Sequence, residues 1–449
     1  MAPADDGNEP FTEEDLRAVW PLLAGADRLD GFRLVQDRAG SEGFFLGLSP
    51  KEQAALILGF PPAERKAWVR LLDPDDATDL VQAVDPEERA VLLDLMDPAS
   101  RREVTALLAF AEDDAGGLMN PRFARVRPDM STDEALRYLQ RQARERLEML
   151  YYAYVLDAEQ RLLGVVSLRE LFSAPGDRKV SEVMRTDVVS VREEMDQEAV
   201  SRVFAHQDLI ALPVVDAENR MKGIVTHDDI VDVVQEEATE DIHRMGGTAV
   251  LDAPYLGTPL MKMFRKRVGW LSVLFVGQLL TAWAMGHFAA VLASAAMLAM
   301  FIPLIISSGG NSGSQASTLV IRAMALGEVR LADWWRVVRR EIASGLLLGG
   351  LLGLLGFALI AGFQFAGPET DGIGYFGPHW LLVGTTVGMS ILGCVTWGTV
   401  AGSMLPFILR RVGLDPASAS APMVATMVDV CGILIYFTAA AILLRGTLL

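Results

Sequence analysis

The sequence predicts a multidomain membrane protein: an all-α superhelical N domain, a duplicated α/β module, a connecting helix and a five-helix α transmembrane domain. Three observations lead there. Prolines recur every twelve residues from Pro50 to Pro98, residues 154–172 are echoed at 213–231, and five apolar stretches of membrane length follow Met263. Charge divides at the same place. Of 58 acids and 40 bases, 51 and 29 precede Met263, and 7 and 11 follow from there on. A strongly acidic region is thus joined to an apolar, weakly basic one. Such acidity argues against nucleic acid, whose binding relies on Lys and Arg contacts to phosphate.

The N domain is placed at 1–115. Pro50, Pro62, Pro74, Pro86 and Pro98 each open a unit, and Ser49, Asp73, Asp85 and Asp97 stand directly before four of them. Ser and Asp are good N-caps, and Pro suits the first helical position. Each unit therefore reads as one short helix with leucines at helical spacing. Helices this short cannot bury an apolar face alone, so they are expected to stack into a small superhelix. The acidic, polar N-terminus has no basic n-region or apolar h-region, and the soluble half is expected on the cytoplasmic side.

The second repeat aligns YVLDAEQRLLGVVSLRELF with PVVDAENRMKGIVTHDDIV. Each copy reads β-α-β-β-α from the switch between alternating and helical periods. These residues resemble a tandem pair of CBS domains, 116–177 and 178–233. The resemblance implies a regulatory module that dimerises face to face and senses a nucleotide or an ion. An acid-rich helix follows (connecting segment 234–262), and Gly246-Gly247 is its expected stop. So dense an acid run should repel itself without counter-cations.

Spans are expected at 268–290, 296–321, 342–366, 380–408 and 423–444, each meeting the ~20-residue requirement. Arg265 to Arg267, the five arginines from Arg322 to Arg340, and Arg410-Arg411 flank them, whereas the loop from Gly367 to His379 has acids and no Lys or Arg. The positive-inside rule then gives a multi-pass protein of the cytoplasmic membrane, N-terminus cytoplasmic and C-terminus external. An odd number of spans without internal duplication suggests a pore built between subunits.

Asp429 is the one acid inside these stretches. A membrane-centre carboxylate costs at least ~2.5 kcal/mol and is kept where it faces a bundle interior, a partner charge or an ion path. No Lys or Arg lies in the stretches to pair with it, so a mobile cation is the simplest counter-charge. The second span adds FIPLIISSGGNSGSQASTLVIR. There Pro303 is expected to remove a donor and free a carbonyl, and Gly309, Gly310 and Gly313 permit close helix approach. Asn311 and Gln315 supply oxygen, which hydrocarbon tolerates only against protein or water. Small-residue packing explains the glycines equally well. Oxygen donors without a Cys or His cluster fit Mg2+, Ca2+ or Mn2+ better than zinc or copper. Cys394 and Cys431 both lie in membrane stretches and suggest no thiolate site. Nor is there a nucleophile–base pair or a phosphate-binding loop, so no enzyme is expected.

Three motifs then resemble the MgtE magnesium channel/transporter family: Pro-x5-Gly-Gly-Asn-x-Gly-x-Gln from Pro303 to Gln315, Ala-Thr-x-x-Asp-Val-x-Gly-x-x-Ile-Tyr ending at Tyr436, and EEATEDIH from Glu236 to His243. The resemblance runs through essentially the whole chain. It implies a homodimer in the lipid bilayer, two copies of Asp429 at a central Mg2+ site, and a pore lined by Pro303, Gly310, Asn311 and Gln315. It also implies feedback closure by Mg2+ held at Asp196, Glu198, Asp208, Asp229, Asp232, Glu237, Glu240 and Asp241, with Asp73 from the N domain. Family members can bind ATP in the CBS cleft; Tyr152 and Arg169 fall where its contacts are expected, while Leu209 and Glu170 depart from the pattern. Two other readings are a CBS-regulated carrier of Mn2+, Co2+ or Ca2+ and a non-conducting, membrane-anchored Mg2+ sensor.

Overall fold

The computed structural model describes residues 11–23, 25–36, 40–144, 147–207, 209–251, 255–294, 296–366 and 375–447. The chain divides into two compact units, Met1–Glu237 and Ala238–Leu449.

In the first unit the twelve-residue period becomes five helices, Pro50–Gly59, Pro62–Val69, Pro74–Gln82, Pro86–Leu95 and Pro98–Leu107. Each starts at its proline, whose missing N–H falls in the first turn, where no intrahelical acceptor exists for it. Ser49, Asp73, Asp85 and Asp97 occupy the N-cap positions with extended backbone. Asp97 Oδ1 accepts from the Ala99 and Ser100 amides at 2.9 and 3.1 Å. The third helix packs on the first and fifth, and the second on the fourth. Phe32, Phe44, Phe45, Phe60 and Trp68 fill the core beneath.

The duplicated module has β1 (Phe123–Val126), helix Thr132–Gln142, β2 (Met149–Leu156), β3 (Leu162–Ser167) and helix Leu168–Ser173. Its second copy has β4 (Val191–Arg192), helix Gln197–Gln207, β5 (Ala211–Val215), β6 (Met221–Thr226) and helix His227–Met245. In each copy the first strand pairs parallel with the second, which pairs antiparallel with the third. The two hairpin turns are built alike. Gln160 and Asn219 take φ of 65° and 63°, and Asp157 and Asp216 each accept two turn amides. Leu162 N–H donates to Asn219 O and Met221 N–H to Gln160 O, joining the hairpins.

Among the described residues of the second unit four helical segments are long and apolar enough to cross a membrane: Leu260–His287, Leu331–Phe365, Trp380–Arg411 and Ala421–Leu443. A further helix, Ile302–Ala325, has 24 residues, about 36 Å at the helical rise. That length also suffices, but its polar run lowers its apolar content. Two expectations change here. The second stretch opens as a 3₁₀ segment, Ala296–Phe301, before that helix begins. Pro303 therefore sits in the first turn and breaks no bond inside the span. The acidic loop at 367–374 lies outside the described residues.

Glycines set the packing of this unit. A Cβ on Gly309 would lie 2.9 Å from Cys394 O, and one on Gly313 would lie 2.7 Å from Gly398 O. Gly402 meets Gly313 O closer still. Two four-residue glycine steps therefore let helices Ile302–Ala325 and Trp380–Arg411 touch backbone to backbone. At the end of the helix His227–Met245, Gly247 takes φ +70°, and a Cβ there would lie 2.7 Å from the Trp270 ring. Trp270 Nε1 donates to Ser420 Oγ at 3.2 Å, and Ser420 is the N-cap of helix Ala421–Leu443. Arg244 pairs with both Glu240 and Asp415.

Candidate functional site

Helix Ile302–Ala325 has two unlike faces. Pro303, Ser307, Asn311 and Gln315, spaced four apart, are all exposed and so form one stripe. Ile305, Gly309, Ser312, Gly313, Ala316 and Ser317 are buried on the other side. The small residues of the motif thus pack on one face, while its polar side chains Ser307, Asn311 and Gln315 stand exposed on the other. Gly310 does not join the stripe: it is buried, with its Cβ position 3.7 Å from Ala425, because that side is where helix Ala421–Leu443 packs. Ser314 and Ser317 donate to Ala421 O and Ala419 O at 3.3 and 3.0 Å, so their hydroxyls serve the helix contact. Tyr436 donates to Leu298 O at 2.8 Å, tying the 3₁₀ segment to the same helix.

Asp429 lies half-buried on Ala421–Leu443. Gly309 packs at Val428 and Gly310 at Ala425, which sets Asp429 level with the turn carrying Ser307 and Asn311. Its Oδ2 accepts from Gln278 Nε2 at 2.7 Å. Gln278 went unremarked in the sequence, although it is the one amide side chain between Arg267 and His287. Which span it would face is a matter of helix pairing, and pairing is not written in a single span.

A second set of carboxylates gathers in the first unit. Asp75, Asp76 and Asp79 on helix Pro74–Gln82 face Asp228, Asp229, Asp232 and Glu236 at the start of helix His227–Met245. Burial pushes Asp75 up to about 9, with Asp229, Asp76 and Glu148 adding to the shift. Asp79 rises to about 8, again by burial first and then by Asp76, Glu112, Asp229 and Glu236. Asp229 rises to about 7 through burial, held back by hydrogen bonds from Thr226. Asp76 reaches about 6 through loss of solvent on its inner side and the charges of Asp73, Asp228 and Asp232. Glu148 is lifted to about 7 by burial and by Asp73, Asp229 and Asp228. Asp232 and Glu236 are raised too, burial leading in both. Asn120 bridges two members, donating to Asp75 Oδ1 at 3.1 Å and to Glu148 Oε2 at 2.6 Å. The leading charged neighbours of Asp75, Asp76, Asp79 and Asp229 are all carboxylates, an arrangement that a divalent cation relieves. Among the described residues no three Asp, Glu, His or Cys side chains converge closely enough to hold a metal ion alone.

The other expected positions are dispersed. Asp73 stands at the rim of this cluster, 3.8 Å from Arg122. Asp196 accepts from Glu198 N–H at 3.0 Å, and Glu198 lies 3.5 Å from Arg202. Glu237 accepts from Gln197 Nε2 at 2.7 Å. Glu240 pairs with Arg244, and Asp241 is one turn from Glu237 on the same helix. Asp208 lies outside the described residues. Tyr152 pairs with Ser167 across β2 and β3, and Arg169 is exposed in the helix that follows. Glu170 is taken up by capping, accepting from Ser167 N–H and Oγ at 2.7 and 2.8 Å, and Leu209 packs against the core of the second copy.

Comparison with known proteins matches three family models along the chain. Residues 12–113 match the MgtE intracellular N domain, 115–177 and 180–236 the CBS domain, and 302–439 the MgtE divalent cation transporter domain. The magnesium transporter MgtE of Thermus thermophilus is 43% identical over 346 residues, which are 77% of this chain and 73% of that one. The magnesium transporter MgtE of Enterococcus faecalis is 32% identical over 76% of this chain and 72% of its own length. A solved cytosolic domain of the Mg2+ channel MgtE in complex with ATP is 43% identical, covering 49% of this chain and 90% of that one, with a TM-score of 0.46.

Proposed function

The chain belongs to the MgtE family of magnesium transporters, multi-pass membrane proteins with an intracellular N domain, and from that premise we propose how it moves and regulates Mg2+. Two copies form a homodimer in the cytoplasmic membrane, N-termini cytoplasmic and C-termini external, with the pore between them. The exposed stripe Ser307–Asn311–Gln315 lines that pore, and the two Asp429 carboxylates meet the ion at its centre. Mg2+ gives up water reluctantly, so one carboxylate per subunit and a few amides suffice if they hold its water shell.

Closure uses the acid cluster. When cytosolic Mg2+ is ample, hydrated ions settle between Asp75, Asp76 and Asp79 and the facing acids Asp228, Asp229, Asp232 and Glu236, turning repulsion into attraction. That fixes the start of helix His227–Met245 against the N domain, and Asp73 and Glu237 extend the charged surface. The observation that carries the proposal is the placement of Asp429 level with an exposed polar stripe. Mg2+ flux into proteoliposomes tests it, comparing the parent chain with Asp429→Ala while Mg2+ on the cytosolic face is varied. Flux that requires Asp429 and falls as cytosolic Mg2+ rises is the expected result. Undiminished flux in the variant overturns it. Parallel runs with Mn2+, Co2+ and Ca2+ rank the ions.

A further inference from the structure

Gln278 is an amide in an apolar helix, and such a group is costly in hydrocarbon without a partner. Its partner is Asp429: Gln278 Nε2 lies 2.7 Å from Asp429 Oδ2. Among the described residues Gln278 is the one side chain that donates to that carboxylate. The contact is set by the backbone. Gly277, directly before it, has its Cβ position 3.0 Å from Thr426 Cγ2, and Thr426 precedes Asp429 by one turn. Gly277 thus lets helix Leu260–His287 close on helix Ala421–Leu443 at the level of the acid, and Thr281 and Ala284 are buried along the same helix.

We infer that Gln278 is a positioning residue for transport: its amide holds one oxygen of Asp429 and leaves the other to the cation or its water shell. Conduction requires a site that attracts the ion yet releases it. A fixed amide donor competes with the cation for the carboxylate, so it keeps occupancy short. It also disfavours bidentate inner-shell binding, which Ca2+ adopts readily and hydrated Mg2+ does not. The inference rests on the transport reading above, with Asp429 at the ion site.

The test uses the full chain with Gln278→Met, which keeps the shape and removes the donor, and Gln278→Asn, which keeps the donor one methylene short. Flux in proteoliposomes gives half-saturation and maximal rate separately. Mg2+ titration calorimetry, with Asp429→Ala run in parallel to subtract the cytosolic sites, gives affinity without transport. Gln278→Met is expected to lower the half-saturating Mg2+ roughly ten-fold, the scale of one hydrogen bond to a charged group. Its maximal rate should fall and its Ca2+ flux rise relative to Mg2+. Gln278→Asn should fall between Met and parent, and in the Asp429→Ala background Gln278→Met should leave Mg2+ affinity unmoved. Parent-like half-saturation and ion preference in Gln278→Met overturn the inference, whether or not its maximal rate drops, since a lost rate alone marks a packing role. Undiminished flux in Asp429→Ala instead overturns the transport reading itself.

Discussion

Asp79 gathers the physics of the cytosolic half in one side chain. It is pushed to about 8 by burial and by four neighbouring acids, whereas in the unfolded chain it titrates near the ordinary carboxylate value. Replacing it by Asn removes a charge the folded state disfavours. Asp79→Asn is therefore expected to stabilise the Mg2+-free protein at about pH 8 by on the order of 1–2 kcal/mol, read as a higher melting temperature. The same variant should gain less from added Mg2+ than the parent. A variant less stable than the parent without Mg2+ would show that Asp79 carries a structural bond instead. Asp429 was legible in the sequence because an acid in an apolar stretch has no ordinary explanation. Asp75, Asp76 and Asp79 were not, because every twelve-residue unit carries acids, and only the facing helix distinguishes one unit from the next. Asp73 stood out as an N-cap, and it takes that position with extended backbone while its carboxylate turns to Arg122 at 3.8 Å.

At the scale of elements, helix Ile302–Ala325 shows how one motif does two jobs. Gly313→Val would place a side chain against Gly398 O, which lies 2.7 Å from the Cβ position alone. Overpacking of this kind costs typically 1–3 kcal/mol or more, so the yield and melting temperature of purified Gly313→Val should fall sharply. Asn311→Ala, on the exposed stripe, should melt like the parent and lose flux. A variant pair with the opposite behaviour would assign the faces the other way round. Spans and caps were legible because helical period, apolar length and N-cap chemistry are local. The meeting of Gly309 and Gly313 with Gly398 and Gly402 was not, since glycine spacing announces a close contact without naming the partner. The start of the second span was misjudged for a related reason: Pro303 reads as a breaker inside a long apolar run, yet the preceding 3₁₀ segment makes it a helix opener.

For the whole molecule, the raised carboxylates make stability depend on both pH and divalent cation. Groups whose folded pKa lies above the unfolded value favour folding below the unfolded value, and that contribution is lost as pH rises through the folded one. With values of about 6 to about 9 across Asp76, Asp229, Asp79 and Asp75, melting of the first unit in chelator should drop as pH climbs from about 5 to about 9. Millimolar Mg2+ should flatten that slope, and a slope indifferent to Mg2+ would separate the cluster from ion sensing. The Pro-led repeat carries a different consequence, about length. Because its third helix touches the first and fifth while its second touches the fourth, odd and even units belong to opposite sides of the stack. Removing one twelve-residue unit would exchange the parity of everything before it, whereas removing two would restore it. The N domain can therefore lengthen or shorten with its surfaces kept in phase only in pairs of units.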